Sequence, residues 1–323
     1  LVEWLIEEGI GEHRAVRIEH GRIVAARVQW LGELVAGQVE DAVLVSRAAG
    51  SNRGTARFAS GEEALVDRLP KEAGEGAAIR LMVTRATIGE RGRLKRAQAR
   101  PTDAEPIAPS LAHLLTRDGH AVRVVHRFPE GDWDELIAEA FAGEIAFAGG
   151  ALLFAQTPAM LVVDIDGTLP PRDLSVAAVR PLGEALRRFD LGGAIAIDFP
   201  SLDRKDDRRA VDQALDYVLT GWPHERTAMN GFGLVQLVAR LDRPSLLHRA
   251  GRQRTALAAR LLLRRAEALE GAGAILLTGH PALEAQLKPE WLAELARRSG
   301  REVRWESRPA LAIEAPQAQL VPR

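Results

Sequence analysis

Two apolar runs, AMLVVDIDG at 159–167 and GGAIAIDFP at 192–200, each end in acid. Read as buried strands, they set Asp164 and Asp198 at their carboxyl ends. The segment between them, VAAVRPLGEALRRF, has the length of a crossover helix, with Pro181 expected near its start or at a kink. Strand, helix, strand of this size implies parallel neighbours joined by a right-handed crossover. Both carboxylates then emerge at one sheet edge, where α/β folds place their sites. Burial there would cost an unpartnered carboxylate several kcal/mol, so a partner or a cation is expected. Mg²⁺ suits the pair, because it takes one or two carboxylates, keeps several waters and leaves positions for a phosphate. Such an ion activates water and stabilises charge on a phosphate oxygen. The plainer alternative is that the aspartates cap the turns or helices that follow. Spacing alone leaves both open.

The first run also resembles a second signature. Asp164-Ile165-Asp166-Gly167-Thr168 after an apolar strand is similar to the opening motif of haloacid-dehalogenase-like phosphatases, in which Asp164 would be a covalent nucleophile and Asp166 an acid–base. Thr278, ending AILLT, is similar to their second motif. The order argues against this reading: the acidic strand end at Asp198 precedes Thr278, and none follows it.

Several elements must position these residues. AVRIEHGRIVAARVQW reads as a hairpin turning at His20-Gly21. GQVEDAVLV, GTARFAS, EALVDRL and AAIRLMVTRATI are short runs parted by Gly, Ser and Asn, the pattern of a small barrel. That stretch closes on a basic cluster, Arg85, Arg91, Arg93, Lys95, Arg96 and Arg100. PTDAEPIAPS at 101–110 reads as a linker. Trp133, Leu136, Ile137, Ala140 and Phe141 recur at helical spacing ahead of a hairpin, EIAFAGGALLFAQ. After Asp198, the charged run DRKDDRR at 203–209 reads as a solvated helix start rather than a phosphate contact. Ala210, Val211, Ala214, Leu215, Val218 and Leu219 share one face of that helix. A periodic helix at 252–270, the strand AILLTGHP, the helix PEWLAELARRSG and the run VRWESRPAL complete the chain. His224 and His280, each beside a proline, read as structural.

Composition narrows the chemistry. With 43 Lys and Arg against 44 Asp and Glu, the net charge is −1, so any nucleic-acid affinity must be local. There are no cysteines, which excludes disulfides, thiolate zinc sites and cysteine nucleophiles. No apolar run is long enough to span a bilayer, and the acidic start (LVEWLIEEGIGEHRA) is unlike a secretory signal. A cytoplasmic protein with no membrane partner is the expectation. The terminal Leu320-Val321-Pro322-Arg323 resembles the remnant of a cleavable tag and is set aside from the fold.

Four stretches, in order, resemble the ribonuclease E/G family. IRLMVTRATIGERGRLKRAQARP is similar to the end of its OB-fold RNA-binding domain. DWDELIAEAFAGEIAFAGGALLFAQTPAMLVVDIDG is similar to the hairpin leading to its first catalytic aspartate. FDLGGAIAIDFPSLDRKDDRRAVDQAL resembles its DLGG-(apolar)-IDF segment, and GFGLVQLVARLDRPSL its FGLLE-x-[ST]R-x-R-x-x-P-S-L stretch. The resemblance implies a multidomain α+β and α/β chain. Residues 1–35 and 101–150 would belong to an RNase H-like part, with 36–100 an inserted OB-fold barrel. Residues 151–250 would form a DNase I-like catalytic domain and 251–319 a small α+β domain, before the tag remnant at 320–323. It further implies a metal-dependent endoribonuclease that hydrolyses single-stranded RNA to 5′-phosphate and 3′-hydroxyl ends. Asp164 and Asp198 would bind Mg²⁺ or Mn²⁺. Asp166 would stand where the family has an Asn, and as a carboxylate it can only accept hydrogen bonds. Phe58 would stack on a base, unless it is simply a barrel core residue. Arg91 matches a substrate-binding Lys and, with Arg93, Lys95 and Arg96, would bind RNA.

The departures are specific. The second stacking position is Leu65. The chain between residues 100 and 130 is too short for the family's 5′-end sensor. The C-P-x-C zinc-link after Arg243-Pro244-Ser245-Leu246 is absent, so no zinc and no zinc-linked tetramer are expected, although a homodimer is compatible. A non-catalytic RNA-binding relative is the alternative these departures leave.

Overall fold

The computed structural model describes residues 3–322. It opens with strands β1 (Trp4–Glu8), β2 (Glu12–Glu19) and β3 (Arg22–Trp30), paired antiparallel in order. The β2–β3 turn falls at His20-Gly21, with φ of 51° and 74°, the left-handed pair that matches hairpin twist.

Next come β4 (Val39–Arg47), β5 (Gly54–Arg57), β6 (Glu63–Val66), β7 (Ala78–Arg85), the hairpin β8 (Ile88–Glu90) and β9 (Arg93–Lys95), and β10 (Ala97–Pro101). Strands β10, β6, β5, β4 and β7 close into a barrel in that order. β10 lies parallel to β6, and every other barrel pair is antiparallel. The barrel has its own core, built on Leu34, Leu44, Phe58, Leu81 and Val83. Helix α1 (Leu111–Arg117) and strand β11 (Val122–Val125) follow, β11 pairing parallel to β1.

The central unit is α2 (Trp133–Ala142), β12 (Glu144–Phe147), β13 (Gly150–Gln156), β14 (Leu161–Gly167), α3 (Pro171–Arg188), β15 (Gly193–Asp198), α4 (Lys205–Val218), β16 (His224–Arg226) and β17 (Leu234–Ala239). Its six strands run β12-β13-β14-β15-β17-β16. β14 and β15 are parallel neighbours joined through α3, as strand–helix–strand spacing requires, and the remaining pairs are antiparallel. Leu152, Val163, Ile165, Ile195, Ile197, Val235 and Leu237 fill one face of the sheet, in the same core as Leu174, Ala178, Leu182 and Leu186 of α3 and Val211 and Leu215 of α4. Pro181 is neither at the start of α3 nor a terminator. The helix begins ten residues earlier at Pro171, whose missing N–H costs nothing in a first turn, and it runs through Pro181.

The chain ends with α5 (Leu246–Arg252), α6 (Arg254–Glu267), β18 (Ala274–Gly279), a 3₁₀ turn (Pro281–Gln286), α7 (Pro289–Ser299), β19 (Val303–Ser307) and β20 (Gln317–Val321). The third sheet has the order β19-β18-β20. Leu320 and Val321, set aside as a tag remnant, are part of it: they pair with Ile275 and Ala274. The residues compose a strand because β18 presents a free antiparallel edge, whatever the segment's resemblance; Arg323 lies outside the described residues. One core joins residues from Leu5 to Leu295, including residues on both sides of positions 150 and 250. The result is a mixed α+β chain with a closed five-stranded barrel. No helix among the described residues is long and apolar enough to cross a membrane.

Candidate active site

β14 and β15 are in register such that Asp164 faces Asp198 directly across the parallel pair. Val163, Ile165, Ile195 and Ile197 point into the core, so period-2 alternation turns Asp164 and Asp198 to the opposite face. That face is open. Asp164, Asp166, Ala194, Asp198, Gln236 and Val238 are all exposed along it, with Leu153 directly opposite Asp164, Leu234 directly opposite Asp198, and Ala151, Val162 and Ala196 beside them. The expected burial cost is therefore not what selects these carboxylates: both are solvated. Asp198 is the last residue of β15, whereas β14 continues past Asp164 to Gly167.

Among the described residues, neither the Asp164 nor the Asp198 carboxylate has a hydrogen-bond or ion-pair partner. Neither caps a helix: Pro170 precedes α3 and Arg204 precedes α4, and neither helix has a side-chain cap. The capping alternative is thus not realised. Two like carboxylates about one strand spacing apart repel each other and offer a donor set of hard oxygens. It fits Mg²⁺ or Mn²⁺, which need only one or two protein carboxylates. No group of three or more His, Asp or Glu converges as a cation cage among the described residues. Asp166 lies on the same face, two residues on, but one of its oxygens accepts from the Gly167 N–H at 2.8 Å.

The other expected site residues divide. Phe58 is 3% exposed in the barrel core, packed with Leu44 and Leu81, so its ring offers no face to a base and the core reading holds. Leu65 is 43% exposed on the barrel's outside. Arg91 stands at the exposed tip of the β8–β9 hairpin with no carboxylate partner. Arg93 donates to Glu90 at 2.6 Å and Lys95 pairs with the same carboxylate, so the two cations are partly neutralised within the hairpin. Arg96 reaches Glu63 at 3.9 Å. Burial would raise the pKa of Glu90, but these two cations hold it below the ordinary carboxylate value.

The hairpin packs where the open face begins. A cavity of about 30 Å³ lies between Glu90 and Lys95 on one side and Met160, Leu161, Gly193, Ala194, Ser245 and His248 on the other. The barrel is fixed there by the Ala86 N–H donating to the Asp242 carbonyl at 2.8 Å. Ala194 and Asp198 are four residues apart on one face, roughly 13 Å along the strand.

His224 and His280 are held by local contacts. His224 stacks on Trp222 at 5.3 Å and bonds the Trp222 carbonyl through Nδ1, while His280 accepts from Ala282 N–H ahead of the 3₁₀ turn. Among the 203–209 charges, Arg209 pairs with Asp206 and Asp207 with Arg172 of α3, while Arg208 donates to the Leu202 and Asp203 carbonyls. Thr278 is 3% exposed in the separate β18 sheet, so the structure does not assemble the phosphatase motifs around Asp164.

Over 113 aligned residues the chain is 34% identical to ribonuclease G of Escherichia coli strain K12 and, at the same identity, to the ribonuclease G of Shigella flexneri and of Salmonella typhimurium strain SL1344. It is related to the ribonuclease E/G family. The alignment spans 31% of this chain and 23% of the length of these curated relatives. No family model matches the chain. Phe232, 84% exposed, sits in a turn, where periodicity gives no signal for it.

Proposed function

We propose that this chain is a metal-dependent endoribonuclease acting on single-stranded RNA. The observation that carries the reading is the unpartnered, solvated pair Asp164–Asp198 on the open face of the central sheet, in a relative of ribonuclease G. The barrel supports an OB-fold assignment, since its strands follow the order 1-2-3-5-4 and close with the last strand parallel to the third. On this reading the central and N-terminal sheets correspond to the DNase I-like and RNase H-like parts.

Asp164 and Asp198 would hold the cation, which when bound supplies Lewis-acid stabilisation of charge on the phosphate. Leu153 and Leu234 flank the pair across the strands, and Ala194 and Ala196 along β15 leave space above the sheet for a nucleic-acid strand. Asp166 keeps one free oxygen, which can accept a hydrogen bond from the attacking water. Attack on phosphorus breaks the bond to the 3′ oxygen and leaves 5′-phosphate and 3′-hydroxyl ends. Arg91 would meet phosphate at the far end of the face.

Purified protein should cleave an unstructured oligoribonucleotide in Mg²⁺, stop in EDTA, and lose cleavage but keep binding as Asp164→Asn or Asp198→Asn. Metal-independent binding without cleavage would instead establish a non-catalytic relative, which burial of Phe58 does nothing to exclude.

A further inference from the structure

Phe232 is 84% exposed, yet its backbone is tightly fixed. The Asn230 side-chain oxygen accepts from the N–H groups of both Phe232 and Leu234, at 2.9 and 3.1 Å. The Gly233 N–H donates to the Asn230 carbonyl at 3.2 Å and closes the turn. Gly233 has φ 89°, and a Cβ there would lie 2.2 Å from the Phe199 carbonyl oxygen, so only glycine fits. The Phe199 N–H donates to the Gly233 carbonyl and Ser201 Oγ to the Phe232 carbonyl. The turn is thereby clamped onto the three residues that follow Asp198, and Leu234, two residues on from Phe232, is the cross-strand partner of Asp198.

An aromatic ring held in water on a rigid turn gains free energy by covering a flat apolar surface, and it loses little entropy in doing so. The flat surface available beside a phosphodiester is a nucleobase. We propose that Phe232 is a base-stacking residue that seats one nucleotide of a single-stranded RNA next to the Asp164–Asp198 pair. This deepens the nuclease reading and rests on it. Stacking is tolerant of sequence, because every base has a π-face. With Phe58 buried and Leu65 aliphatic, Phe232 takes over a role the barrel does not provide.

The test compares wild type with Phe232→Ala, Phe232→Leu and Phe232→Trp on a fluorescein-labelled, unstructured oligoribonucleotide. Affinity is read by anisotropy in Ca²⁺ and cleavage in Mg²⁺. Alanine and leucine should each weaken binding and raise KM on the order of thirtyfold, the middle of what loss of a stacking aromatic costs, with tryptophan restoring both. An oligomer with an abasic residue at the stacked position should bind wild type as weakly as the intact oligomer binds the alanine variant. If wild type cleaves and the alanine variant has unchanged affinity and KM, the stacking role is overturned while the nuclease stands. If wild type neither binds nor cleaves RNA, the nuclease reading fails and this role with it. Loss of self-association in the alanine variant, with RNA affinity intact, would reassign Phe232 to a protein contact.

Discussion

Replacing Asp198 by Asn should stabilise the protein in EDTA and destabilise it relative to wild type in Mg²⁺. Asp164 and Asp198 stand one strand spacing apart, about 4.8 Å, on the same face. Two unit charges at that distance repel by roughly 0.8 kcal/mol in water and by about 3 kcal/mol in a medium of dielectric 20. Both residues are exposed, so a value near the lower limit, about 1 kcal/mol, is relieved by the neutral isostere. Unfolding entropy of about 2 cal/mol/K per residue over a chain of this length turns that into a rise in Tm of about 1–2 °C. Added Mg²⁺ at a hundred times its Kd stabilises wild type by about 2.7 kcal/mol, roughly 4 °C, and the variant by little. The ranking therefore inverts between EDTA and Mg²⁺. Differential scanning fluorimetry in both conditions reads it, and 1 M KCl should shrink the EDTA gap, because exposed charges are screened. A variant that melts below wild type in EDTA would refute the reasoning, since Asp198 would then be doing structural work as a cap or partner.

Two further outcomes follow from the packing around the site. His248 caps α5 with Ser245 through Nδ1 as acceptor, and burial pushes its pKa from 6.5 down to about 4. The unfolded chain thus binds the proton more tightly, so stability present above pH 6.5 is lost as pH falls toward 4, by up to about 3 kcal/mol. His248→Gln, which keeps the capping acceptor, should flatten the Tm profile over that window, and an unchanged slope would remove His248 as its source. Gly183 of α3 touches α4 so closely that a Cβ would lie 2.0 Å from Val218 Cγ1. Gly183→Ala should therefore cost about 1 kcal/mol in urea titrations despite its better helix propensity, and should become stabilising in a Val218→Ala background; simple stabilisation in wild type would contradict the close packing.

Strand β14, helix α3 and strand β15 were legible because hydrophobic period, crossover length and acid at the run ends all pointed one way. The direct facing of Asp164 and Asp198 follows from that register alone. Their exposure was not legible. An apolar run such as GAIAID reads as buried on both faces, and only the structure separates Ile195 and Ile197, in the core, from Ala194, in solvent. Aromatic identity alone could not decide Phe58: stacking and core readings both fitted the sequence, and the structure places it in the barrel core, while Phe232 sits in a turn that carries no period. The pairing of Glu90 with Arg93 and Lys95 needed the β8–β9 register. The strand at Leu320-Val321 was hidden behind a resemblance to a tag.

The charge pairing bears on how such a chain could grip RNA while carrying a net charge of −1. Counterion release requires cations free to meet phosphate. Here Glu90 engages Arg93 and Lys95, Glu63 engages Arg57 and Arg96, and Asp41 engages Arg80. Among the described residues, Arg85, Arg91 and Arg100 of the basic cluster have no carboxylate partner, and Arg91 sits at the hairpin tip. The barrel also holds that hairpin at one end of the open face, through Ala86 and Asp242 and through Gly89 packed on Arg252. On the proposed function, affinity shifts from a diffuse basic surface to the cleavage edge, where a cation held by two aspartates meets the phosphate and Phe232 meets a base. Interactions concentrated there can differ between substrate and transition state, which uniform binding along a barrel cannot do. On that reading the cleavage edge, rather than the barrel, supplies the difference in binding that drives the reaction.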